Sequence, residues 1–383
     1  MNDKYIPYGQ QSIDEEDIDE VVKVLRSDKI TQGSKVEDFE KSLSEYTGAK
    51  YAVAVSSGTA ALHIAALAGG IKPLDEVITS PITFVASANC IIYCNAKPVF
   101  ADVLTDTINI DPDEIEKKIT EKTKAVIPVH YAGNPAMLEK ICDIARKHDL
   151  LVIEDAAHAL GAEYKGTKTG SCKYSDMTVF SFHPVKSITT GEGGAVLTND
   201  RDLYERLIMF RNHGITKSKE LMDQYDGPWY YQQQQLGFNY RLTDFQCALG
   251  ISQMKKLDTF IQRRRETAQF YIEELSGLEE LILPVQTCSA GSSWHIFPVR
   301  FKDNKKRAPV FQYLQEKGIG VQVHYIPLHM QPYIRDRFNY SAGDYPNAEA
   351  AYSRVLTLPV YPSMTADQRE YVVKILKDAL DNG

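Results

Sequence analysis

Short apolar runs alternate with longer amphipathic segments along the first part of the chain. The apolar runs have the length of β-strands, and the amphipathic segments repeat with the period of an α-helix. The predicted strands are 51–55, 77–79, 98–102, 125–129 and 151–154. The predicted helices are 14–27, 35–47, 60–70, 84–94, 112–119 and 135–148. Strands and helices in this alternation are typical of a parallel sheet with right-handed crossovers.

The pattern changes towards the end of the chain, where strands alternate more strictly in hydrophobicity. The predicted elements are helices 243–255, 258–275, 308–317 and 365–381 and strands 295–301 and 320–325. This arrangement predicts a smaller α+β domain. We place the large domain at 1–255 and the smaller domain at 256–383. Three consecutive arginines, Arg263–Arg265, predict a solvent-exposed face of the second of these helices.

The composition is that of a soluble globular protein, with 43% hydrophobic and 25% charged residues among 383. The formal net charge of −8 argues against a nucleic-acid partner, which requires a basic surface. No apolar run reaches the roughly 18 residues of a membrane span, and residues 1–17 lack the features of a signal peptide. The six cysteines are scattered without metal-like spacing. We therefore expect a reduced, cytoplasmic protein with no metal and no membrane partner.

Candidate chemistry centres on the stretch Phe180–Gly194, where Lys186 lies between an apolar run and a glycine-rich turn. Desolvation at such a position lowers the pKa of the amine, and a neutral amine is what Schiff-base chemistry requires. Asp155 ends an apolar strand one crossover earlier. An acid that pairs with a pyridinium nitrogen and a lysine that forms an imine are the two poles of a pyridoxal phosphate site.

A second candidate is the turn Ser57–Thr59, between a predicted strand and a predicted helix. Backbone N–H groups at such a helix start bind anions. The same residues are also consistent with an ordinary strand-to-helix turn that is capped by a hydroxyl group.

Together these residues resemble the sugar aminotransferase family of fold-type I pyridoxal phosphate enzymes, DegT/DnrJ/EryC1/StrS. The resemblance covers nearly the whole chain. It is carried by five motifs in this order, Ser57–Leu62, Pro81–Ala86, Glu154–Gly161, Phe180–Gly194 and Gly237–Arg241. It implies an α/β fold with a large domain, whose mostly parallel sheet is flanked by helices, and a smaller C-terminal α+β domain.

The resemblance also implies roles for single residues. Lys186 would form the imine with the cofactor, and Asp155 would keep the pyridine nitrogen protonated. The residues implied to hold the cofactor phosphate are Ser57, Gly58, Thr59, Ser181 and, from the partner subunit of a homodimer, Asn239. Phe84 would stack on the cofactor ring and His158 would lie beside it. From the residues alone, a core position for Phe84 and a packing role for His158 stay open.

Finer details in Ser80–Asn89 and Val321–His329 resemble the subgroup that aminates position 4 of a UDP-linked keto sugar in the pseudaminic acid pathway, with L-glutamate as the expected donor. The implied product is UDP-4-amino-4,6-dideoxy-N-acetyl-β-L-altrosamine. The candidate substrate contacts are Thr31, Gln32, His183, His324, Tyr325 and His329. A dTDP- or GDP-linked sugar, or amination at position 3, stays open, and His183 is as consistent with a structural role.

Two other functions remain to be weighed. A sugar dehydratase on the same scaffold replaces the imine lysine with histidine, so Lys186 argues against it. A cofactor-binding regulator would carry a DNA-binding module, and neither a spare helix-turn-helix segment nor a basic patch is present in the sequence.

Overall fold

The computed structural model describes residues 5–381. Residues 1–4, part of the stretch used above to argue against a signal peptide, and residues 382–383 of the predicted smaller domain lie outside the described part. The helices are α1 Glu15–Leu25, α2 Ser34–Thr47, α3 Gly58–Ala68, α4 Ala86–Tyr93, α5 Pro112–Lys118, α6 Leu138–Lys147, α7 Arg201–Arg211, α8 Asp244–Leu275, α9 Arg307–Glu316, α10 Pro332–Phe338, α11 Pro346–Arg354 and α12 Ala366–Asp381. The strands are β1 Tyr51–Val55, β2 Glu76–Thr79, β3 Lys97–Phe100, β4 Thr123–Ile127, β5 Leu151–Asp155, β6 Glu163–Tyr164, β7 Thr167–Lys168, β8 Met177–Ser181, β9 Gly194–Thr198, β10 Ile215–Thr216, β11 Gln232–Gln233, β12 Leu281–Ile282, β13 Ala290–Gly291, β14 Phe297–Phe301 and β15 Val355–Leu358.

The largest sheet has seven strands in the order β1-β9-β8-β5-β4-β2-β3. Neighbours from β8 through β3 pair in parallel, whereas β9 is antiparallel to both β1 and β8. The expectation of a mostly parallel sheet is therefore confirmed. Because β1 and β8 are both antiparallel to β9, they run in the same direction, and β1 ends at the same sheet edge as the parallel strands.

Helices cover both faces of this sheet, because successive side chains of a strand point to opposite faces. Val53 and Val55 of β1 pack in one apolar cluster with α3 and α4. Ala52 and Ala54 pack in another, with α2 and α8. A third cluster combines the three-stranded sheet β12-β14-β15 with α9, α12 and the end of α8. Within residues 5–381, no helix has both the length and the apolar character needed to cross a membrane.

The structure differs from the predicted elements at two places in the chain. The helices predicted at 243–255 and 258–275 are one helix, α8, so the predicted domain boundary falls inside it. The polar stretch at the predicted break stays helical because Leu257 is fully buried and Lys256 pairs with Asp17 at 3.0 Å. The strand predicted at 320–325 is wrong, since among the described residues this segment forms only one isolated bridge, between Gln322 and Thr357.

The predicted exposure of the three arginines is also wrong for the middle one. Arg263 is exposed, but Arg264 has no exposed surface. All six cysteines are unpaired, and the cytoplasmic location stays a prediction.

Candidate active site

A cleft of about 470 Å³ opens at the carboxyl ends of the parallel strands. This is the edge where ligands bind in open α/β sheets. Residues from the ends of β1, β5 and β8 form one wall, and residues from the C-terminal part of the chain form the opposite wall. The lining residues are Tyr8, Ser57, Gly58, Thr59, Leu62, Thr83, Phe84, Ala86, Val129, Asp155, Ala157, His158, Ser181, His183, Val185, Lys186, Glu192, His295, His324 and Tyr325.

The start of α3 forms one end of the cleft. Ser57 caps the helix by accepting the N–H of Ala60 on its hydroxyl oxygen at 3.0 Å. The N–H groups of Gly58 and Thr59 belong to the first turn and therefore have no carbonyl partner within the helix. A Cβ at Gly58 would lie 2.8 Å from the Cβ of Ser181, so only glycine allows this approach of α3 and β8. The hydroxyl groups of Ser57 and Ser181, together with the free N–H groups at the start of α3, form a site suited to an anion.

Asp155 ends β5 and is held in one orientation by donors. Its Oδ2 accepts the hydroxyl of Ser87 at 2.6 Å, and its Oδ1 accepts the N–H of Ala157 at 3.2 Å. Because the Ser87 proton is used in this bond, Thr83 donates its own hydroxyl to Ser87 at 2.7 Å. The carboxylate is buried at 5% exposure, and its donors fix where its negative charge lies.

Lys186 follows β8 and is half-buried beside Asp155. The main-chain N–H of Lys186 donates to the carbonyl of His183 at 2.9 Å. Desolvation lowers the pKa of the lysine to about 8, the Asp155 carboxylate opposes this effect, and the Arg264 guanidinium adds to it. With this pKa roughly a tenth of the molecules carry a neutral amine at pH 7, and the neutral amine is the form that nucleophilic and general-base chemistry requires.

The buried His158, which follows β5, meets two buried histidines and a tyrosine of the opposite wall. Nε2 of His158 lies 3.0 Å from the hydroxyl of Tyr325, and the His158 ring lies 4.3 Å from that of His295, centroid to centroid. Burial lowers the pKa of His158 and of His295 well below the usual range. It lowers the pKa of His324 to about 4. Near neutral pH these rings are therefore uncharged beside the charged Asp155.

Most of the residues predicted to form the site share this cleft. Those present are Ser57, Gly58, Thr59, Phe84, Asp155, His158, Ser181, His183, Lys186, His324 and Tyr325. Phe84 is 58% exposed, so it is not a core residue. His183 is exposed at the cleft. Their individual roles stay predictions.

Four predicted residues do not line the cleft. Thr31, Gln32 and Asn239 are exposed elsewhere on the surface. His329 is fully buried, and its Nε2 lies 3.0 Å from a Glu349 carboxylate oxygen. This placement does not support a contact between His329 and substrate within the same chain.

Sequence reasoning missed several residues of the site. Tyr8, Glu192 and His295 line the cleft, and Ser87 lies directly behind Asp155. Ser87 is one helical turn after Thr83 in a motif already singled out, and this spacing was an available signal. Tyr8 and His295 are brought to the cleft only by the tertiary fold.

The residues present fit pyridoxal phosphate. The start of α3 with Ser57 and Ser181 would hold the phosphate, Asp155 would face the ring nitrogen, and Lys186 would bind the aldehyde carbon. In addition, Nδ1 of His158 is buried without a hydrogen-bond partner among residues 5–381. Such a free polar atom in the cleft is consistent with a polar ligand there.

Comparisons with known proteins match nearly the whole chain. The model of the DegT/DnrJ/EryC1/StrS aminotransferase family matches residues 11–377. The chain is 40% identical over 378 residues to the Bacillus subtilis spore coat polysaccharide biosynthesis protein SpsC, covering 98% of this chain and 97% of the relative. It is 37% identical over 383 residues to the Campylobacter jejuni UDP-4-amino-4,6-dideoxy-N-acetyl-beta-L-altrosamine transaminase, covering 98% of both.

Solved structures of sugar aminotransferases have the same fold. Helicobacter pylori PseC, an aminotransferase involved in the biosynthesis of pseudoaminic acid, is 33% identical with a TM-score of 0.92, covering 99% of this chain and 100% of that one. The PLP form of the putative sugar aminotransferase Spr1654 from Streptococcus pneumoniae is 30% identical with a TM-score of 0.91, covering 99% of both chains.

Proposed function

Because the chain belongs to the DegT/DnrJ/EryC1/StrS aminotransferase family, we propose that it transfers the amino group of L-glutamate to position 4 of a UDP-linked keto sugar. The acceptor we infer is UDP-2-acetamido-2,6-dideoxy-β-L-arabino-hexos-4-ulose, and the product is UDP-4-amino-4,6-dideoxy-N-acetyl-β-L-altrosamine. The general activity, amino transfer to a sugar with pyridoxal phosphate as cofactor, is that of the family and of the matched structures.

The observation that carries the proposal is the cleft, in a chain that matches an altrosamine transaminase over almost its whole length. A half-buried lysine, an oriented carboxylate and a helix start face one another there. The polar residues His183, His324 and Tyr325 lie on the same cleft and offer hydrogen-bonding groups to a sugar. A keto sugar of this kind has no α-carboxylate. Its binding therefore does not require an arginine that pairs with a substrate carboxylate.

The residues of the chain account for the proton movements that amino transfer requires. When bound, pyridoxal phosphate acts as an electron sink for the α-carbon of the amino donor. The carboxylate of Asp155 would keep the ring nitrogen protonated. The amine of Lys186 would take the proton from the α-carbon of the donor as general base and deliver it, as general acid, to the aldehyde-derived carbon of the cofactor. The same movements in reverse order aminate the keto sugar.

We also infer that the active form is a homodimer in which Asn239 of each subunit serves the other subunit's phosphate site. Asn239 is exposed and does not reach the cleft of its own chain. The backbone beside it is nevertheless fixed near that site, because the carbonyl of Tyr240 accepts the N–H of Ser56 at 2.8 Å. A symmetric dimer would place this exposed side chain at a neighbouring site.

Mixed dimers test the role of Asn239. Neither Lys186→Ala nor Asn239→Ala homodimers have a complete site, but a mixed dimer has one if Asn239 acts across the interface. Random association of equal amounts would then restore roughly a quarter of the wild-type activity. Activity no higher than the mean of the two separate variants would contradict action across the interface.

A second candidate function is amination of a different nucleotide keto sugar. The observation that favours it is the similarity to the spore coat polysaccharide protein, which at 40% identity exceeds that to the altrosamine transaminase at 37%. The chain is therefore about equally similar to a relative named for spore coat polysaccharide biosynthesis and to one named for altrosamine amination. The two candidates differ in the acceptor and share the cofactor and the lysine.

The experiment that separates the candidates is a two-step titration of the protein loaded with pyridoxal phosphate. We expect the visible absorbance of the loaded protein to fall with L-glutamate and to return with the UDP-linked 4-keto sugar. The dTDP-linked sugar and a 3-keto isomer are the matched controls. A return with only one of these controls would reject the proposed acceptor and retain the aminotransferase.

A further inference from the structure

Arg264 of α8 is a buried cation without an anionic partner. Its side chain has no exposed surface, and within residues 5–381 no carboxylate forms an ion pair with it. Burial lowers the pKa of this guanidinium to about 10, so it remains charged near neutral pH. Burying such a charge destabilises the folded state unless the charge is hydrogen-bonded. We therefore ask which groups bond to this arginine.

The guanidinium is bonded to main-chain carbonyl groups from three separate segments. Its Nη1 donates to the carbonyl of Val360 at 2.8 Å and to that of His295 at 3.2 Å. Its Nη2 donates to the carbonyls of Val185 and Lys186, each at 3.4 Å. The planar fork of arginine can satisfy acceptors in different directions at once, which the ammonium of lysine on its flexible stem cannot do in the same geometry.

Two of these segments supply part of the cleft, and the third is bonded to a residue that lines it. Lys186 supplies the amine, and His295 of the opposite wall contacts His158. The N–H of Val360 donates to the carbonyl of Tyr8 at 3.2 Å, and Tyr8 lines the cleft as well. One side chain therefore connects the lysine segment to the two pieces of chain that face it.

We propose that Arg264 is a positioning residue for amino transfer, which fixes the main chain of Lys186 relative to the His295 and Tyr8 segments. Proton transfer by an amine depends steeply on the position of that amine, and a misplacement of about 1 Å can reduce a rate roughly 100-fold. The uncompensated charge of Arg264 has a second effect, because it favours the neutral form of the neighbouring lysine. The proposal rests on the amino-transfer chemistry and not on which sugar is the acceptor.

Two substitutions separate position from charge. Arg264→Lys keeps a positive charge and loses the fork, whereas Arg264→Met loses both. The matched control is Arg265→Met, because Arg265 also donates to main-chain carbonyls, those of Ser292 at 3.0 Å and Gly161 at 3.4 Å. Neither acceptor belongs to the Lys186 segment.

The first measurement is the single-turnover rate at which L-glutamate removes the visible absorbance of the loaded protein. This rate constant does not depend on the fraction of protein that is folded, so a merely structural role would lower the amplitude and leave the rate unchanged. We expect Arg264→Lys to slow the reaction at least roughly tenfold. We expect Arg265→Met to stay within about twofold of wild type.

The second measurement does not use the loaded enzyme. The reactivity of Lys186 in cofactor-free protein is followed against pH with trace acetic anhydride and peptide mass spectrometry. We expect half-maximal reactivity near pH 8 in wild type and Arg265→Met, and at higher pH in Arg264→Met, because a neighbouring positive charge has been removed. The other groups that face the amine are Tyr8, Asp155, His158, His183, Glu192, His295, His324 and Tyr325.

The outcomes decide the proposal in either direction. A wild-type single-turnover rate in Arg264→Lys would overturn it, because the fork would then not be needed to place the amine. If Arg264→Met does not fold, Arg264→Lys still decides the proposal, since it keeps the charge and differs only in geometry. A failure to identify the keto sugar leaves both measurements unaffected, because neither of them uses the acceptor.

Discussion

The two walls of the cleft are held in place by different means. In the sheet wall, Asp155 and Ser181 end strands that are paired on both sides, so backbone ladders determine where these side chains lie. In the opposite wall, His295, His324 and Tyr325 lie outside regular strands. They are held by separate bonds, such as the one from the Tyr131 hydroxyl to the His324 carbonyl at 2.7 Å.

The difference corresponds to what each wall carries. The sheet wall holds Asp155, whose proposed role is to face the ring nitrogen of the cofactor, and a shared ladder of strands gives that placement rigidity. The opposite wall carries neutral rings and hydroxyl groups. Its contacts can change one at a time without moving the charged group. We therefore expect single substitutions to lower the rate of amino transfer most in the sheet wall and at Lys186 beside it, and least in the opposite wall.

The largest effect is expected from Lys186→Ala. Without the amine, the chain has no group at this position to take and return the proton of the amino donor. We expect turnover to be abolished while the protein stays folded, as measured by product formation and by thermal unfolding. The control is Lys165→Ala, which removes an amine that pairs with Glu139 on the surface. Retained transamination by Lys186→Ala would show that the lysine has been misassigned.

A smaller effect is expected from Ser87→Ala, which removes the 2.6 Å donor to Asp155. Hydrogen bonds to charged groups contribute about 1.5–3 kcal/mol, so we expect the glutamate half-reaction to slow roughly tenfold or more. The control, Ser252→Ala, makes the same change at a buried position of α8. Equal rates for the two variants would mean that Ser87 does not orient the carboxylate.

The two walls also differ in how far the sequence predicts them. Ser57 and Asp155 each follow or end a predicted strand, and the carboxyl ends of parallel strands meet at one edge. Local hydrophobicity was therefore enough to bring these two together, whereas Ser181 was implied only by the family resemblance. The continuous α8 was missed for a related reason, because the polar positions around Lys256 resemble a helix end unless the partner Asp17 is known.

Arg264 shows what local patterns cannot predict. It lies between two other arginines in a helix, where a solvent-exposed face is the ordinary expectation. Its burial depends on Val360 and on the Lys186 segment, which are distant in sequence. The same applies to His295. Residues that connect the two walls are therefore the least visible in the sequence, although they determine how the walls are arranged.

The smallest effect is expected from Tyr325→Phe, in the opposite wall. It removes only the hydroxyl that lies 3.0 Å from Nε2 of His158. A neutral hydrogen bond contributes about 1 kcal/mol, so we expect either half-reaction to slow by about fivefold at most. Tyr371→Phe is the control, since its hydroxyl also makes one bond, to the Lys317 carbonyl at 3.1 Å, on the surface. If Tyr325→Phe slows the half-reactions more than Ser87→Ala does, a contact in the opposite wall is as important as the orientation of the charged Asp155. The proposed difference between the walls would then be wrong.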